Sequence, residues 1–495
     1  MNYHNYATRL RIDLCIRMLH AYFDGKLIEK IDRIPLDMRP RGGEHARCCI
    51  YRDRAIIRQR CISVLGFGTG PEEDELTPLA DYARRALERT LIEGPVLHVI
   101  EEGCSSCIRS RYEVTNACRG CLARPCMLNC PRRAIRIVQG HADIDPALCV
   151  NCGKCLGECP FHAIIRIPIP CEEACPVDAI TKDEQGRAVI HFEKCIFCGK
   201  CMKACPFGAI MEKSQLFDVL EQIRRGCRVV AMVAPSIIGQ FPGSLGQIAA
   251  GLEKLGFCAV VEVAHGADMT ARHEAAEFTE RMARGDACMT SSCCPAYTDL
   301  VKKHVAGLAP FVSSAATPMH AMGAWVKQQF DPQARTVFIG PCFAKRHEAL
   351  FDSCVDYVMT FEELGALLVA REIDVAALDA VDVEPAGRRE GRGFAVSGGV
   401  TRAVAGLLAD GAGAPLVVPA LVDGLSKKTI ALLKTVARER QPGNFIEVMA
   451  CEGGCVSGPG VVAPGAAAVR QLEKFLENSQ AIRNGCADQH SHAQR

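Results

Sequence analysis

Four cysteines that lie far apart in the sequence limit the possible folds of this chain most strongly. They belong to three short motifs, Ser-Ser-Cys-Cys-Pro-Ala-Tyr at 291–297, Gly-Pro-Cys-Phe-Ala-Lys-Arg-His-Glu at 340–348 and Glu-Val-Met-Ala-Cys-Glu-Gly-Gly-Cys-Val-Ser-Gly at 447–458. The candidate metal ligands in these motifs are Cys294, Cys342, Cys451 and Cys455. Because an iron-sulfur cluster is held by cysteine thiolates, we expect one folded domain whose three loops meet at a single cluster.

A second, denser group of cysteines lies upstream, between positions 104 and 205. Two runs have the spacing of bacterial ferredoxins, in which three cysteines hold one 4Fe-4S cluster and the fourth reaches its neighbour. The runs are Cys149-x2-Cys152-x2-Cys155-x3-Cys159-Pro and Cys195-x2-Cys198-x2-Cys201-x3-Cys205-Pro. Zinc ribbons and inert buried thiols are the alternatives, but zinc spacing rarely ends in Cys-x3-Cys-Pro.

Partial motifs complete the second group. Cys118-x2-Cys121-x4-Cys126-x3-Cys130-Pro is a variant run, and Cys171-x3-Cys175-Pro lacks the two ligands that Cys104-x2-Cys107 would supply. We infer two ferredoxin-like modules, one inserted in the other, each repeating a short hairpin at 134–145 and 179–192. Crossed pairing then gives four quartets: Cys118, Cys121, Cys126 and Cys159; Cys130, Cys149, Cys152 and Cys155; Cys175, Cys195, Cys198 and Cys201; and Cys104, Cys107, Cys171 and Cys205.

Composition limits the other possibilities. A chain of 495 residues with 49% hydrophobic content can form about three domains, and its net charge of +1 does not favour nucleic acid as a partner. Its first residues do not resemble a secretory signal, and no run of about 18 apolar residues occurs, so we expect no membrane span and a reducing cytoplasm. The segment Gly-Phe-Gly-Thr-Gly at 66–70 is a poor dinucleotide fingerprint, so we expect no NAD or flavin site.

The second half of the chain has an α/β pattern. Apolar runs at 228–234, 260–263 and 336–339 alternate with helical patterns at 247–255, 270–283 and 344–350, which predicts mainly parallel strands. Thr317 followed by Pro318 predicts a helix start, and a helix through position 329. Ligands bind at the carboxyl ends of such strands, and the cysteine loops follow apolar runs at 287–290, 336–339 and 444–449.

With these three cysteine motifs, the chain resembles the iron-only (FeFe) hydrogenases over about residues 100–475. Residues 1–95 resemble those of the monomeric branch often called group B. The resemblance implies an α/β catalytic domain with mainly parallel sheets at 213–478, preceded by two nested ferredoxin-like (α+β) modules at 96–212 and a small N-terminal accessory domain at 1–95, and followed by a polar tail at 479–495. It also implies four accessory 4Fe-4S clusters.

The family's active centre, the H-cluster, is a 4Fe-4S cluster linked to a two-iron unit that carries CO, cyanide and an azadithiolate. The resemblance implies that Cys294, Cys342, Cys451 and Cys455 are its ligands, with Cys455 as the bridge. Matching positions give polar contacts to cyanide from Lys345, Pro235 and Ser236, and an apolar wall from Met319, Phe394 and Met449. Taken singly, such a lysine is usually a solvated charge and such methionines are usually core residues.

The resemblance also implies a proton route. It begins at Cys293, which cannot easily ligate the same cluster as Cys294, and continues through Glu274, Ser313 and Glu277 to Arg281. Glu274 and Glu277 lie on one face of a predicted helix, and we expect burial to raise the pKa of at least one of them. From this helix alone, Glu277 and Arg281 are more typical of an ordinary exposed ion pair, and only the match to the whole route favours a role in proton transfer.

The expected function is a hydrogenase that interconverts protons and electrons with dihydrogen. The expected partners are a ferredoxin-type electron carrier and the hydrogenase maturation proteins. A non-catalytic cluster-assembly relative and a hydrogen sensor are the alternatives. The basic segment at 38–54 predicts either a folded accessory domain or a docking face for an acidic ferredoxin, and Cys48 and Cys49 are expected to be structural. Gly340 replaces a methionine of well-known members and is expected to leave space beside the two-iron unit.

Overall fold

The computed structural model describes residues 5–68, 76–104, 107, 112–409, 415–438 and 441–481. The tail beyond position 481 and the last two residues of the Gly-Phe-Gly-Thr-Gly segment lie outside these ranges. The first part of the chain is helical. Its helices are α1 (Tyr6–Phe23), α2 (Leu27–Lys30), α3 (Ile34–Met38), α4 (Ile50–Val64) and α5 (Leu79–Glu88).

Two ferredoxin-like modules follow, and strand pairing shows that one is nested in the other. The outer module is closed by β1 (Leu97–Val99) and β8 (Ile210–Glu212), and the inner module by β2 (Tyr112–Val114) and β5 (Ile164–Arg166); both pairs are antiparallel. Each module also contains one hairpin, formed by β3 (Ile135–Val138) with β4 (His141–Ile144) and by β6 (Ile180–Lys182) with β7 (Ala188–Ile190), as expected. The short helices are α6 (Glu101–Cys104), α7 (Pro125–Leu128), α8 (Lys154–Glu158), α9 (Pro170–Ala174) and α10 (Lys200–Ala204).

The remaining residues form an α/β domain with two parallel sheets. One sheet has the order β10-β9-β12-β13 and the other β11-β15-β14. The strands are β9 (Val229–Val233), β10 (Ala259–Glu262), β11 (Met289–Thr290), β12 (Arg335–Ile339), β13 (Tyr357–Met359), β14 (Pro419–Asp423) and β15 (Phe445–Met449). The strands β9 and β15 are buried along their whole length, as expected for a sheet covered on both faces.

Eleven helices accompany these sheets in the described residues. They are α11 (Leu216–Arg224), α12 (Leu245–Lys254), α13 (Val263–Ala283), α14 (Pro295–His304), α15 (Pro318–Trp325), α16 (Phe343–Ala349), α17 (Phe361–Ala370), α18 (Arg389–Gly393), α19 (Gly399–Ala409), α20 (Lys427–Val436) and α21 (Gly465–Glu477). Thr317 caps α15 through its side chain, which accepts the His320 N–H, and Pro318 occupies the first turn, as predicted. The α-helix ends at Trp325, and a π-helical turn continues to Phe330.

The prediction for α13 was wrong at its start. The helix begins at Val263, directly after β10, and not at Thr270. Thr270 lies inside the helix, where its hydroxyl donates to the carbonyl oxygens of Gly266 and Ala316. Gly266 allows close packing on α15, because an added Cβ would lie 2.4 Å from the Pro318 carbonyl oxygen. Packing between these two helices therefore sets the start of α13.

The N-terminal helices form a folded domain that packs on both other parts of the chain. Helix α1 packs against α17, and Arg89 Nε donates to Asp218 of α11 at 2.8 Å. Arginines of the basic segment form hydrogen bonds within the fold. Arg39 donates to Asp53, Arg52 to the Glu102 carbonyl oxygen and Arg54 to the Arg39 carbonyl oxygen. Across the described ranges, no helix combines the length and the apolar character that crossing a membrane requires.

Candidate active site

The three cysteine motifs meet at one enclosed, mostly apolar cavity of about 90 Å³. Their loops follow β11, β12 and β15, and the loop after β9 adds a fourth wall. The loops after β11 and β15 lie at the carboxyl edge of one parallel sheet and those after β9 and β12 at the carboxyl edge of the other, and the two edges meet at the cavity. The cavity is lined by every residue predicted to bind the active-centre cofactor: Pro235, Ser236, Cys294, Met319, Cys342, Lys345, Phe394, Met449, Cys451 and Cys455.

The four cysteines are half-buried residues that line one cavity, and burial of their thiols is the main cause of their raised pKa values. It raises the pKa of Cys342 and Cys455 to about 12, and that of Cys451 well above its usual value. The negative charges of other cysteines in the group raise each of these three pKa values further. Four thiolates at this point therefore require a cationic group to neutralise them, as a metal cluster does.

Two buried polar side chains, Ser236 and Lys345, lie at the same cavity. The Ser236 hydroxyl is fully buried, and its oxygen has no hydrogen-bond partner among the described residues. The Lys345 ammonium is 8% exposed and donates to Glu348 Oε2 at 2.9 Å, one turn further along α16. A buried hydroxyl and a buried ammonium can both donate to anionic ligands such as cyanide. The donor set therefore fits a cofactor with polar ligands on one side.

Part of the cavity lining is apolar. Met319, Phe394 and Met449 are 0%, 5% and 3% exposed and line the cavity beside the thiols. Such a wall excludes water and leaves each polar contact in a medium of low dielectric constant.

The expected space beside Gly340 is filled. An added Cβ at Gly340 would lie 2.5 Å from Cε1 of Phe338, and the Phe338 ring itself lines the cavity. Phe338 is 4% exposed and belongs to β12, two residues before the glycine. The expectation of open space was therefore wrong, because a neighbouring aromatic ring takes the volume that a longer side chain would use.

Cys293 lines the cavity, and Glu274 is a buried carboxyl whose charge acts on the Cys293 thiol. Cys293 is 8% exposed, and burial followed by the Glu274 charge raises the pKa of its thiol well above the usual range. Burial raises the pKa of Glu274 to about 8, as predicted for one of the two glutamates. Glu274 Oε1 accepts the Ser292 backbone N–H at 3.2 Å, and Oε2 has no partner among the described residues. This carboxyl is therefore able to exchange a proton near neutral pH.

The outer part of the predicted proton route is a separate hydrogen-bonded group. The Ser313 hydroxyl donates to Glu277 Oε2 at 2.8 Å, and Arg281 Nε donates to Glu277 Oε1 at 2.9 Å. Burial would raise the pKa of Glu277, but donors from Ser313, Arg281 and the Ser314 backbone outweigh it, and the net effect lowers that pKa. In the described residues no hydrogen bond joins this group to Glu274, although both glutamates belong to α13.

Sequence reasoning missed three residues around the site. Ser292 contacts Glu274, and Glu348 pairs with Lys345. Glu447 is 1% exposed, and burial raises its pKa; its carboxylate accepts bonds from Thr401 and the Gly398 N–H. Glu447 lies within the cysteine motif at 447–458, and Ser292 and Glu348 lie within the other two motifs. Their place inside the cysteine motifs could have indicated that these three residues lie near the site. The sequence does not show which groups they contact.

The structure also brings together each of the four predicted cysteine quartets in the ferredoxin-like modules. Burial raises the pKa of Cys126, and the charges of Cys159, Cys121 and Cys118 raise it further. Burial likewise raises the pKa of Cys155, and the charges of Cys149, Cys130 and Cys152 raise it further. In the outer module, burial raises the pKa of Cys201, and the charges of Cys198, Cys195 and Cys175 raise it further. Burial also raises the pKa of Cys171, and the charges of Cys205, Cys104 and Cys107 raise it further. These thiols act on one another because the crossed arrangement places them side by side.

The quartets in the outer module form a sequence that leads towards the cavity. Cys198 lines the cavity itself, and its charge acts on Cys451. Cys201, in the same quartet, is influenced by Cys171 of the next quartet. The outer module thus places one of its quartets at the cavity and the other next to that quartet.

Three family models and a solved structure are similar to parts of this chain. The family model for the iron only hydrogenase large subunit, C-terminal domain, matches residues 227–459, and two models for a 4Fe-4S binding domain match residues 141–164 and 188–211. A [FeFe]-hydrogenase HydA1 variant from Chlamydomonas reinhardtii aligns at 23% identity with a TM-score of 0.46, over 55% of this chain and 91% of that one.

Curated relatives include three hydrogenase proteins. The periplasmic [Fe] hydrogenase large subunit of Nitratidesulfovibrio vulgaris is 30% identical over 51% of this chain and 73% of its own length. Iron hydrogenase 1 of Clostridium pasteurianum is 30% identical over 43% of this chain, and the NADP-reducing hydrogenase subunit HndD of Solidesulfovibrio fructosivorans is 29% identical over 63%. The match spans only 45% and 56% of the last two proteins. With this similarity and the convergence of its cysteine motifs, the chain belongs to the iron-only hydrogenase family.

Proposed function

We propose that this chain catalyses the reversible reduction of protons to dihydrogen at an H-cluster. The observation that carries the proposal is the single cavity shared by four cysteines from three separated loops, a buried lysine and a buried unpartnered serine hydroxyl. Cys294, Cys342, Cys451 and Cys455 would hold the 4Fe-4S part, with Cys455 bridging to the two-iron unit. When bound, the two-iron unit supplies the metal site at which protons and electrons combine.

The remaining cavity residues position that unit and keep the site dry. Lys345 and the Pro235–Ser236 segment would hold its cyanide ligands through charged and neutral hydrogen bonds. Met319, Phe394 and Met449 exclude water, which strengthens those bonds. A protein that supplies one covalent link must seat the rest of the cofactor by such contacts.

Protons would reach the cavity through Cys293 and Glu274. The raised pKa of Glu274 keeps this carboxyl protonated near neutral pH, and no partner for its Oε2 atom lies within the described part of the chain. Ser313, Glu277 and Arg281 would form the outer part of the route. Because no direct hydrogen bond joins the two described parts, we propose that water or a side-chain rotation completes the path.

Electrons would come from a ferredoxin-type carrier through four accessory 4Fe-4S clusters, one in each cysteine quartet. The proposal includes hydrogenase maturation proteins as partners and a reducing cytoplasm, since thiolate ligands require reduced cysteines. It also includes domain limits at 1–95, 96–212, 213–478 and 479–495. The nested strand pairings and the cysteine neighbours described above support this organisation.

A non-catalytic role is the second candidate. A curated cytosolic Fe-S cluster assembly factor, NAR1 of Eremothecium gossypii, is 29% identical over 23% of this chain and 26% of its own length. Cluster assembly needs the cluster cysteines but has no need for a buried acid beside a buried thiol. Glu274 and Cys293 therefore favour the catalytic proposal.

Infrared spectroscopy with a hydrogen assay tests the choice. The chain would be matured with the hydrogenase assembly proteins, and iron-bound CO and cyanide bands would be recorded. We expect these bands together with hydrogen evolution driven by reduced methyl viologen. A fully iron-loaded chain with no such bands and no hydrogen evolution would instead support the non-catalytic role.

A further inference from the structure

Arg60 is a buried guanidinium for which the described part of the chain offers no carboxylate partner. It lies on α4 and is 4% exposed. Its NH2 group donates to the backbone carbonyl oxygens of Phe207 and Gly208, at 3.2 Å each, and no ion pair to Arg60 occurs among the described residues. Arginine is rarely buried to this extent without a compensating negative charge. An anionic group is therefore expected beside it.

Only one negative group is prominent around Arg60. Among the charges that act on it most strongly, Arg11, Arg39 and Arg47 are positive, and the Cys205 thiolate alone is negative. Burial lowers the pKa of Arg60 to about 10, so the side chain remains cationic at neutral pH. Its two acceptors lie in the turn that directly follows Cys205, and this places the charge beside a proposed cluster ligand.

The backbone is shaped to allow this approach. Gly208 has a φ of +56°, and an added Cβ would lie 3.0 Å from the Arg60 guanidinium. The turn also contains Ala209, whose N–H donates to Cys205 Sγ at 3.4 Å. The Arg60 guanidinium and the Cys205 sulfur are therefore both hydrogen-bonded to the same short turn, the guanidinium through two carbonyl oxygens and the sulfur through one N–H.

Further cations lie near the same quartet. The Arg47 guanidinium lies 4.6 Å from the ring centroid of Phe207 and donates to the Gly103 carbonyl oxygen, next to Cys104. Lys182 Nζ lies 3.9 Å from Cys104 Sγ. Two of these three cations, Arg47 and Arg60, come from the N-terminal domain.

We propose that the N-terminal domain tunes the accessory cluster of Cys104, Cys107, Cys171 and Cys205, with Arg60 as the positioning residue whose positive charge raises that cluster's reduction potential. This inference rests on the proposed function only in requiring a cluster in that quartet. A nearby positive charge favours the state with one more electron, so removing the charge makes the cluster harder to reduce. It assigns a role to the N-terminal domain other than a docking face.

Potentiometric EPR titration of the iron-loaded chain tests the proposal. The Cys205→Ser variant first identifies which reduced-cluster signal belongs to this quartet. With Arg60→Met we expect the midpoint potential of that signal to shift to more negative values while the other signals keep theirs. Arg60→Lys, which restores the charge, should recover most of the shift, and Lys182→Met should shift the same signal in the same direction.

Arg58→Met is the matched control. Arg58 also lies on α4 and also donates to a backbone carbonyl, that of Thr77, so its loss tests a general effect on the helix. An unchanged potential in Arg60→Met at full iron content, or an equal shift in Arg58→Met, would overturn the proposal. If Arg60→Met loses the cluster, retention in Arg60→Lys supports the charge argument, and loss in both variants rejects it. A Cys205→Ser variant that loses no signal would instead reject the proposed cluster.

Discussion

Glu274 Oε1 accepts the Ser292 backbone N–H at 3.2 Å, and this bond places the carboxyl next to Cys293. The bond uses one carboxyl oxygen and leaves the other without a partner among the described residues. The arrangement holds the acid in position while its second oxygen remains available for proton transfer. Several of the following experiments examine this pair and its surroundings.

Replacing Glu274 with Gln should slow hydrogen evolution by about 10²–10⁴-fold, the range that positioned acid-base groups contribute. The amide fits the same space but cannot give up and regain a proton at this pH. The assay is hydrogen evolution with reduced methyl viologen on fully iron-loaded protein. Glu280→Gln, an exposed position on the same helix, is the control and should retain full activity. Normal turnover in Glu274→Gln would remove this residue from the route.

The protonation of Glu274 should change near pH 8. Its pKa is raised from 4.5 to about 8, so the carboxyl is protonated at pH 7 and ionises as the pH rises through about 8. By linkage, its contribution to folding stability is complete below pH 4.5 and is lost as the pH rises to about 8. Infrared difference spectra between pH 7 and pH 9 should show loss of a carboxylic-acid C=O band, and Glu274→Gln should lack that band.

Replacing Cys293 with Ala should keep the clusters but nearly abolish turnover. The thiol lines the cavity and is buried, whereas Cys294 beside it belongs to the ligand set. Iron content and the CO and cyanide bands should match the unmodified chain, while hydrogen evolution is lost. Cys258→Ala, at an exposed position, controls for cysteine loss. Equal activity in both variants would show that protons do not use Cys293.

Replacing Cys205 with Ser should remove one accessory cluster. The thiols of Cys205, Cys104, Cys107 and Cys171 act on one another, so loss of one should release about four iron atoms. We expect slower reduction by external ferredoxin. Cys48→Ser, an exposed cysteine outside the quartets, should change neither quantity. Unchanged iron content in Cys205→Ser would show that the pairing in the outer module is different.

Replacing Gly340 with Ala should destabilise the chain by about 1–3 kcal/mol, because the new methyl group would overlap the Phe338 ring. The midpoint of thermal unfolding of the iron-loaded protein should fall. Gly406→Ala is the matched control, since an added Cβ there meets nothing within 4 Å. Adding Phe338→Leu should recover part of the loss; an equal effect of both glycine changes would contradict this explanation.

The sequence predicted the cysteine sites well because ligand spacing is a local requirement. The runs around Cys149 and Cys195 would place their thiols alike in many contexts, and the parallel sheets followed from alternating apolar and helical segments. The start of α13 was not predictable in this way. Glu262, its N-cap residue, makes no side-chain cap, and the packing of Gly266 on α15 sets the boundary.

Long-range contacts account for the other differences. Phe338 fills the space beside Gly340 only because β12 turns its ring towards the cavity. In the sequence Arg60 resembles the other arginines of α4, and its position at the turn after Cys205 depends on packing between separate domains. Contacts of this kind, between residues that the fold brings together, cannot be predicted from local composition.

The pairing of β2 with β5 places Tyr112 opposite Arg166, so the polypeptide enters and leaves the inner module at neighbouring points. A segment with adjacent ends can be enlarged, exchanged or deleted while the framework that holds it remains in register. In the proposed function, the length of the electron route to the cavity would therefore change when this one module is inserted, exchanged or deleted.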